Sequence, residues 1–143
     1  MKSMKQQFNE IKLTSSKGRG FYDLTSEVKA FIKKSDIDNG LVTLYIKHTS
    51  ASLLINENYD SDVLIDMETF FSNLIPDGLE DLIHTTEGPD DMPAHIRSAL
   101  TQTHLSIPVF QGQLQIGQWQ GIFMYEHRLN SHHRTIAIHA IGD

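Results

Sequence analysis

Apolar residues along this chain recur at two spacings, and the switches between them divide it into elements. Alternation marks the strands. In Leu41–Lys47, Val42, Leu44 and Ile46 fall on one face, and period two carries that face on to His48. Ala51–Asn56 follows almost at once, so Thr49-Ser50 reads as a tight hairpin connection. Lys5–Leu13 is a first strand with Ile11 and Leu13 on one face, then a turn at Ser15–Gly20 and a short apolar piece at Phe21–Leu24. Late in the chain Leu105, Ile107 and Val109 alternate, and Gln111-Gly112 turns the chain into Leu114–Ile116. Gly117–Gly121 interrupts that run and suggests a bulge or a close backbone approach. Ile122–Arg128 and Arg134–Ile141 are predicted as the arms of a final hairpin, with Leu129–His133 as its loop.

Three- and four-residue spacing marks the helices. The first is capped by Thr25, carries Val28, Phe31 and Ile32 on one face, and ends before the turn Asn39-Gly40. The second, Ser61–Leu74, aligns Val63, Leu64, Met67, Phe70, Phe71 and Leu74, and Pro76-Asp77-Gly78 stops it. A third follows Gly88-Pro89, with Pro93 in its first turn, Asp90 or Asp91 as its cap, and Met92, Ile96, Ala99 and Leu100 as its apolar stripe. Strands, then helices, then strands predict an α+β fold with a mostly antiparallel sheet or sandwich. At 143 residues the chain is expected to be one domain, 1–143.

Composition narrows the function. Hydrophobic residues at 39% and charged residues at 21% are ordinary for a soluble protein. No apolar run approaches a bilayer span, and the opening residues lack the apolar block of a signal peptide, so a cytoplasmic protein with no membrane partner is expected. A net charge of −6 argues against sequence-independent binding of nucleic acid, which needs a basic surface. The absence of cysteine excludes disulfides, thiolate catalysis and thiolate-bound zinc. Any metal must therefore be held by histidine and carboxylate.

The segment His84–Leu100 concentrates that chemistry: His84 and His95 bracket a turn carrying Glu87, Asp90 and Asp91. Catalytic zinc takes three protein ligands and leaves a position for water; His48, His84 and His95 would complete such a set, although their spacing is not a short local motif. Taken alone, His48 is read as a hydrogen-bonded core histidine rather than a ligand. An acidic turn can also hold Mg²⁺ together with substrate phosphates. Along the strand ending in Glu126-His127-Arg128, Glu126 and Arg128 share a face, which suggests either a pocket rim where arginine grips phosphate or an ion pair at a surface or subunit contact. Trp119 could line a pocket or merely pack.

HTSASLLINEN (48–58), EGPDDMPAHIRSAL (87–100) and GQWQGIFMYEHR (117–128), together with the early SKGRGFYDLT, resemble the signature blocks of the YjbQ-like family over nearly the whole chain. Arg97 stands where lysine would be expected and Gln118 where threonine is usual; His139 lies in an otherwise aliphatic run. The resemblance implies a seven-stranded α+β sandwich with about three helices, assembled as a homotrimer. It also implies a secondary thiamine-phosphate synthase activity, coupling an aminopyrimidine diphosphate to a thiazole phosphate with loss of pyrophosphate. On this reading His48, His84 and His95 hold a divalent metal, zinc first and Mg²⁺ second, and His48, His84 and Glu126 are catalytic. Arg128, Arg97, Asp91 and Trp119 would meet the small phosphorylated substrate. The alternative is a non-catalytic metal- or anion-binding oligomer.

Overall fold

The alternation around Val42 becomes β3 (Gly40–Ile46), the middle strand of a five-stranded antiparallel sheet ordered β1-β8-β3-β5-β6, in a computed structural model that describes residues 3–143. Its neighbours are β1 (Lys5–Thr14), β5 (His104–Phe110), β6 (Gln113–Leu114) and β8 (His133–Gly142). A second, three-stranded sheet is ordered β2-β7-β4, from β2 (Gly20–Asp23), β7 (Gln120–Glu126) and β4 (Ala51–Glu57). The helices are α1 (Thr25–Ser35), α2 (Ser61–Leu74) and α3 (Asp91–Leu100). The fold is thus α+β and antiparallel, with eight strands, β6 being only two residues long, rather than the expected seven. Among the described residues no helix is long and apolar enough to cross a membrane.

The core lies between the sheets. Val42, Leu44 and Ile46 face Leu53, Ile122 and Met124 across it, flanked by Ile136, Ile138 and Ile107, while α1 contributes Val28 and Ile32. Each such side chain removed from water contributes about 1.5–3 kcal/mol. Gly40 and Gly142 sit opposite each other where β3 and β8 begin and end; a Cβ on either would lie about 2 Å from a backbone oxygen, so only glycine permits the approach. On its other side the three-stranded sheet meets α2 and α3, where Phe71 packs edge-on against Tyr125 and the Tyr125 hydroxyl donates to Glu68 Oε1 at 2.5 Å.

Neither predicted hairpin exists. β3 and β4 belong to different sheets, and so do β7 and β8, so the segments around Thr49-Ser50 and Leu129–His133 cross from one sheet to the other. Period-two patterning identifies a strand and its faces but not its partner, and here the partners lie far along the chain. The caps differ too. Thr25 is the first residue of α1, held by Asp23 Oδ1, which accepts from its N–H and its hydroxyl. Asp90 occupies the cap position of α3 without capping it.

Candidate metal centre

Asp91 opens α3 and His95 follows four residues later, so one turn of helix places both on the same side. The loop before α3 brings His84 to them. Its Nε2 donates to Asp91 Oδ2 at 2.7 Å, and His95 Nε2 lies 3.2 Å from that same oxygen. The three ligand atoms all lie within 4.8 Å of one another. The Asp91 side chain is 3% exposed, whereas those of His84 and His95 are 43% and 30% exposed, so the group opens to solvent on its histidine side.

His95 is held at both nitrogens. Nδ1 lies 3.0 Å from the carbonyl of Thr49, and a carbonyl, like a carboxylate, can only accept. A neutral imidazole has one N–H, so both contacts are satisfied only if the ring is doubly protonated or a cation sits between Nε2 and the carboxylate. The donor set of two imidazoles and a carboxylate, with the Nδ1–H of one imidazole fixed by a carbonyl, fits a divalent ion such as zinc.

Arg128 secures the carboxylates from behind. Its Nε donates to Asp90 Oδ2, its second guanidinium nitrogen reaches Asp91 Oδ1 and its third donates to the Glu87 carbonyl, each at 2.9 Å. Asp90 also accepts from the Leu129 N–H, which explains why it does not cap α3. Burial pushes the Asp90 carboxyl up, but the bonds from Arg128 and Leu129 and the Arg128 charge outweigh it and hold its pKa below the usual range. Asp91 is likewise lowered against burial, by its contacts with His84 and Glu87 and the charges of Arg128 and His95. Both acids stay ionised.

Other expected site residues lie elsewhere. His48 is not brought to His84 and His95: its Nε2 accepts the Thr135 N–H at 2.8 Å, so the lone pair a metal would need is already engaged. Glu126 is fully buried, because the inner faces of the two sheets meet there. Arg134 reaches both its oxygens, at 2.8 and 2.5 Å, while Ser15 Oγ donates at 2.7 Å and the Arg128 N–H at 3.1 Å. Burial raises that carboxyl, and the bonds from Arg134 and Ser15 then bring it below its ordinary value. This is a cross-sheet ion pair, not an acid facing a substrate. Arg97 is wholly buried, donating to Glu68 Oε1 at 2.8 Å, with no path to an external phosphate. Trp119 is half exposed, edge-on to Tyr59 with ring centres 4.7 Å apart.

The family model for UPF0047 YjbQ-like proteins matches residues 9–143. The chain belongs to this family. It is 44% identical to a UPF0047 protein of Synechocystis sp. over 96% of this chain and 94% of that one, and 44% identical to Escherichia coli YjbQ over 85% and 88%. A solved YjbQ/UPF0047 protein of Clostridium acetobutylicum superposes with a TM-score of 0.82 at 30% identity, covering 91% of this chain and 97% of that one. A YbjQ-like protein of unknown function from Sulfolobus solfataricus shares the fold with a TM-score of 0.89 at 24% identity, covering 99% and 100%. In this YjbQ-like chain the three sequence blocks meet at the centre: Thr49 of the first holds His95 of the second, and Arg128 of the third holds Asp90 and Asp91 of the second. The contact of Asp91 with His95 had a signal in the sequence, their four-residue spacing on a helix. Nothing in the sequence pointed to Arg134 as the partner of Glu126.

Proposed function

We propose that this YjbQ-like protein is a metal-dependent enzyme acting on a small phosphorylated molecule, with His84, Asp91 and His95 as the ligands. The observation that carries the reading is the convergence of the His84, Asp91 and His95 ligand atoms within 4.8 Å of one another, with both His95 nitrogens facing oxygen acceptors as they would with a cation beside Nε2. A divalent ion held there would act as a Lewis acid toward a phosphoryl oxygen. Thr49 fixes the His95 ring, and Arg128 fixes the orientation of Asp91. A cavity of about 310 Å³ adjoins His84, walled by Leu79, Leu82, Pro89, Met92 and Pro93, and offers an apolar wall to the organic part of a substrate. Thiamine-phosphate synthesis is the reaction to test first.

Zinc titration of the wild type against His84→Ala and His95→Ala tests the centre. Each variant is expected to lose stoichiometric zinc and to unfold at a denaturant concentration close to that of the wild type. Turnover of an aminopyrimidine diphosphate and a thiazole phosphate, with and without added zinc, tests the chemistry. A second reading, a metal-binding module without turnover, is favoured by the engagement of both expected phosphate-binding arginines, Arg97 within the interior and Arg128 on carboxylates. Stoichiometric zinc with no zinc-dependent turnover of any phosphate ester tried would select it.

A further inference from the structure

A second cavity, of about 510 Å³, opens between α1 and the turns on either side of β6. Lys29 and Lys33 of α1 line it, and among the described residues neither ammonium has a hydrogen-bond or ion-pair partner. Among the described residues no carboxylate lines it, although acids outnumber lysines and arginines by 18 to 12 in the whole chain. Asn58, Gln113, Gln118 and Gln120 line it with side-chain amides, that of Asn58 donating to the Gln120 carbonyl at 3.3 Å. Gln120 Oε1 accepts the Gly117 N–H at 2.6 Å, so its amide nitrogen is left as a donor. Among the described residues the side chains of Gln113 and Gln118 have no partner. Ile32, Leu114 and Ile116 provide the apolar part of the lining.

Each feature selects a part of a ligand. Two unneutralised ammonium groups one helical turn apart repel one another unless an anion lies between them. Amides both donate and accept, which suits hydroxyl groups, and an apolar lining suits the carbon skeleton that carries them. The Asn58 N–H donates to the Trp119 carbonyl at 2.9 Å, which ties the end of β4 to the turn before β7 and holds the amide wall in place. The cavity lies at the Gln120 end of β7, whereas the metal centre lies beyond its Glu126 end. At about 3.3 Å per strand residue the two are roughly 20 Å apart.

We propose that this cavity is a binding site for a small phosphomonoester with a hydroxylated carbon body, gripped by Lys29 and Lys33 at its phosphate and by the glutamine amides at its hydroxyls. The site is independent of the metal centre. Ribose 5-phosphate is the probe, titrated by calorimetry and followed by amide chemical shifts, with inorganic phosphate and ribose as separate arms. The expected result is binding of ribose 5-phosphate more tightly than of either fragment, with shifts confined to α1 and residues 112–120. Lys29→Met with Lys33→Met should weaken it at least tenfold, and His84→Ala should leave it unchanged. Because both lysines are exposed on a helix surface, the double variant is expected to fold. Absence of binding at millimolar probe, equal binding by the double variant, or shifts centred on residues 84–95 would each overturn the proposal. Inorganic phosphate binding as tightly as ribose 5-phosphate would overturn it too, since the carbon body would then contribute nothing.

Discussion

Asp91 meets two demands at once: one oxygen faces His84 and His95 while the other takes the guanidinium of Arg128. Lysine at 128 would keep the charge but lose the fork that spans Asp90, Asp91 and the Glu87 carbonyl. Arg128→Lys is therefore expected to weaken zinc binding by about 10- to 100-fold, the range for partners that orient a ligand, in competition titrations with a chelator. Unchanged zinc affinity with weakened binding of a phosphate ester would instead assign Arg128 to the substrate. His127 gives a second prediction. It is completely buried, its Nε2 lies 2.8 Å from Ser52 Oγ, and no partner reaches its Nδ1 among the described residues. Burial first, then the charges of Arg97, Arg19 and Arg134, push its pKa down to about 3. The unfolded chain therefore binds a proton near pH 6.5 that the folded chain refuses. Stability is full above that pH and falls as pH drops toward 3, by at most about 1.4 kcal/mol per pH unit for this one group. His48, also lowered, by burial and by Arg134, adds in the same direction. Urea unfolding between pH 7 and 5 should show this slope, and His127→Gln, which keeps a group near Ser52 but cannot charge, should flatten it.

Among the elements, two turns with left-handed glycines test how the sheets are joined. Gly18 (φ 72°) lies in the turn between β1 and β2, and a Cβ there would fall 1.9 Å from the Leu129 carbonyl oxygen in the segment between β7 and β8. Gly112 (φ 74°) has the same backbone but open space around it. Gly112→Ala should cost about 1–2 kcal/mol from backbone strain alone, and Gly18→Ala roughly 3–4 kcal/mol because overpacking is added. Urea midpoints compare the two directly. The elements themselves were legible: Ser61–Leu74 is α2 as its apolar spacing indicates, and the expected strands lie close to β3, β4, β5 and β8. Which sheet each strand joins was not legible, because that depends on contacts such as Glu126 with Arg134 across the core. The same limit governs the site. His84 and His95 flank one turn, so their nearness could be read locally, whereas His48 continues the β3 face and is placed by Thr135 of β8, far along the chain.

At the scale of the molecule, the five-stranded sheet has one face packed on the core and one that no element among the described residues covers. Along the covered face run Val42, Leu44 and Ile46; the residues that alternate with them, Leu41 and Tyr45, are 40% and 51% exposed, and Phe8 on β1 is 65% exposed. The register sets Leu41 beside Ile141 and Tyr45 beside Ala137, so the apolar surface continues from β3 to β8, while β1 places Gln6 and Glu10 beside the same two β8 residues. An apolar face of this kind is a subunit contact in many oligomers and an aggregation risk in a monomer. Helix α2 is the rival surface, with Ile65, Phe70 and Leu74 exposed and no residue buried. The resemblance in the sequence implies three copies, and we propose that they meet through the sheet. Sedimentation equilibrium at micromolar concentration is expected to give three times the 16.2 kDa chain mass. Leu41→Asp with Tyr45→Asp should reduce it to the monomer by burying charges without partners, while Ile65→Asp should leave the trimer intact. A monomeric wild type would refute the assembly, and a trimer broken by Ile65→Asp but not by the sheet variant would move the contact to α2.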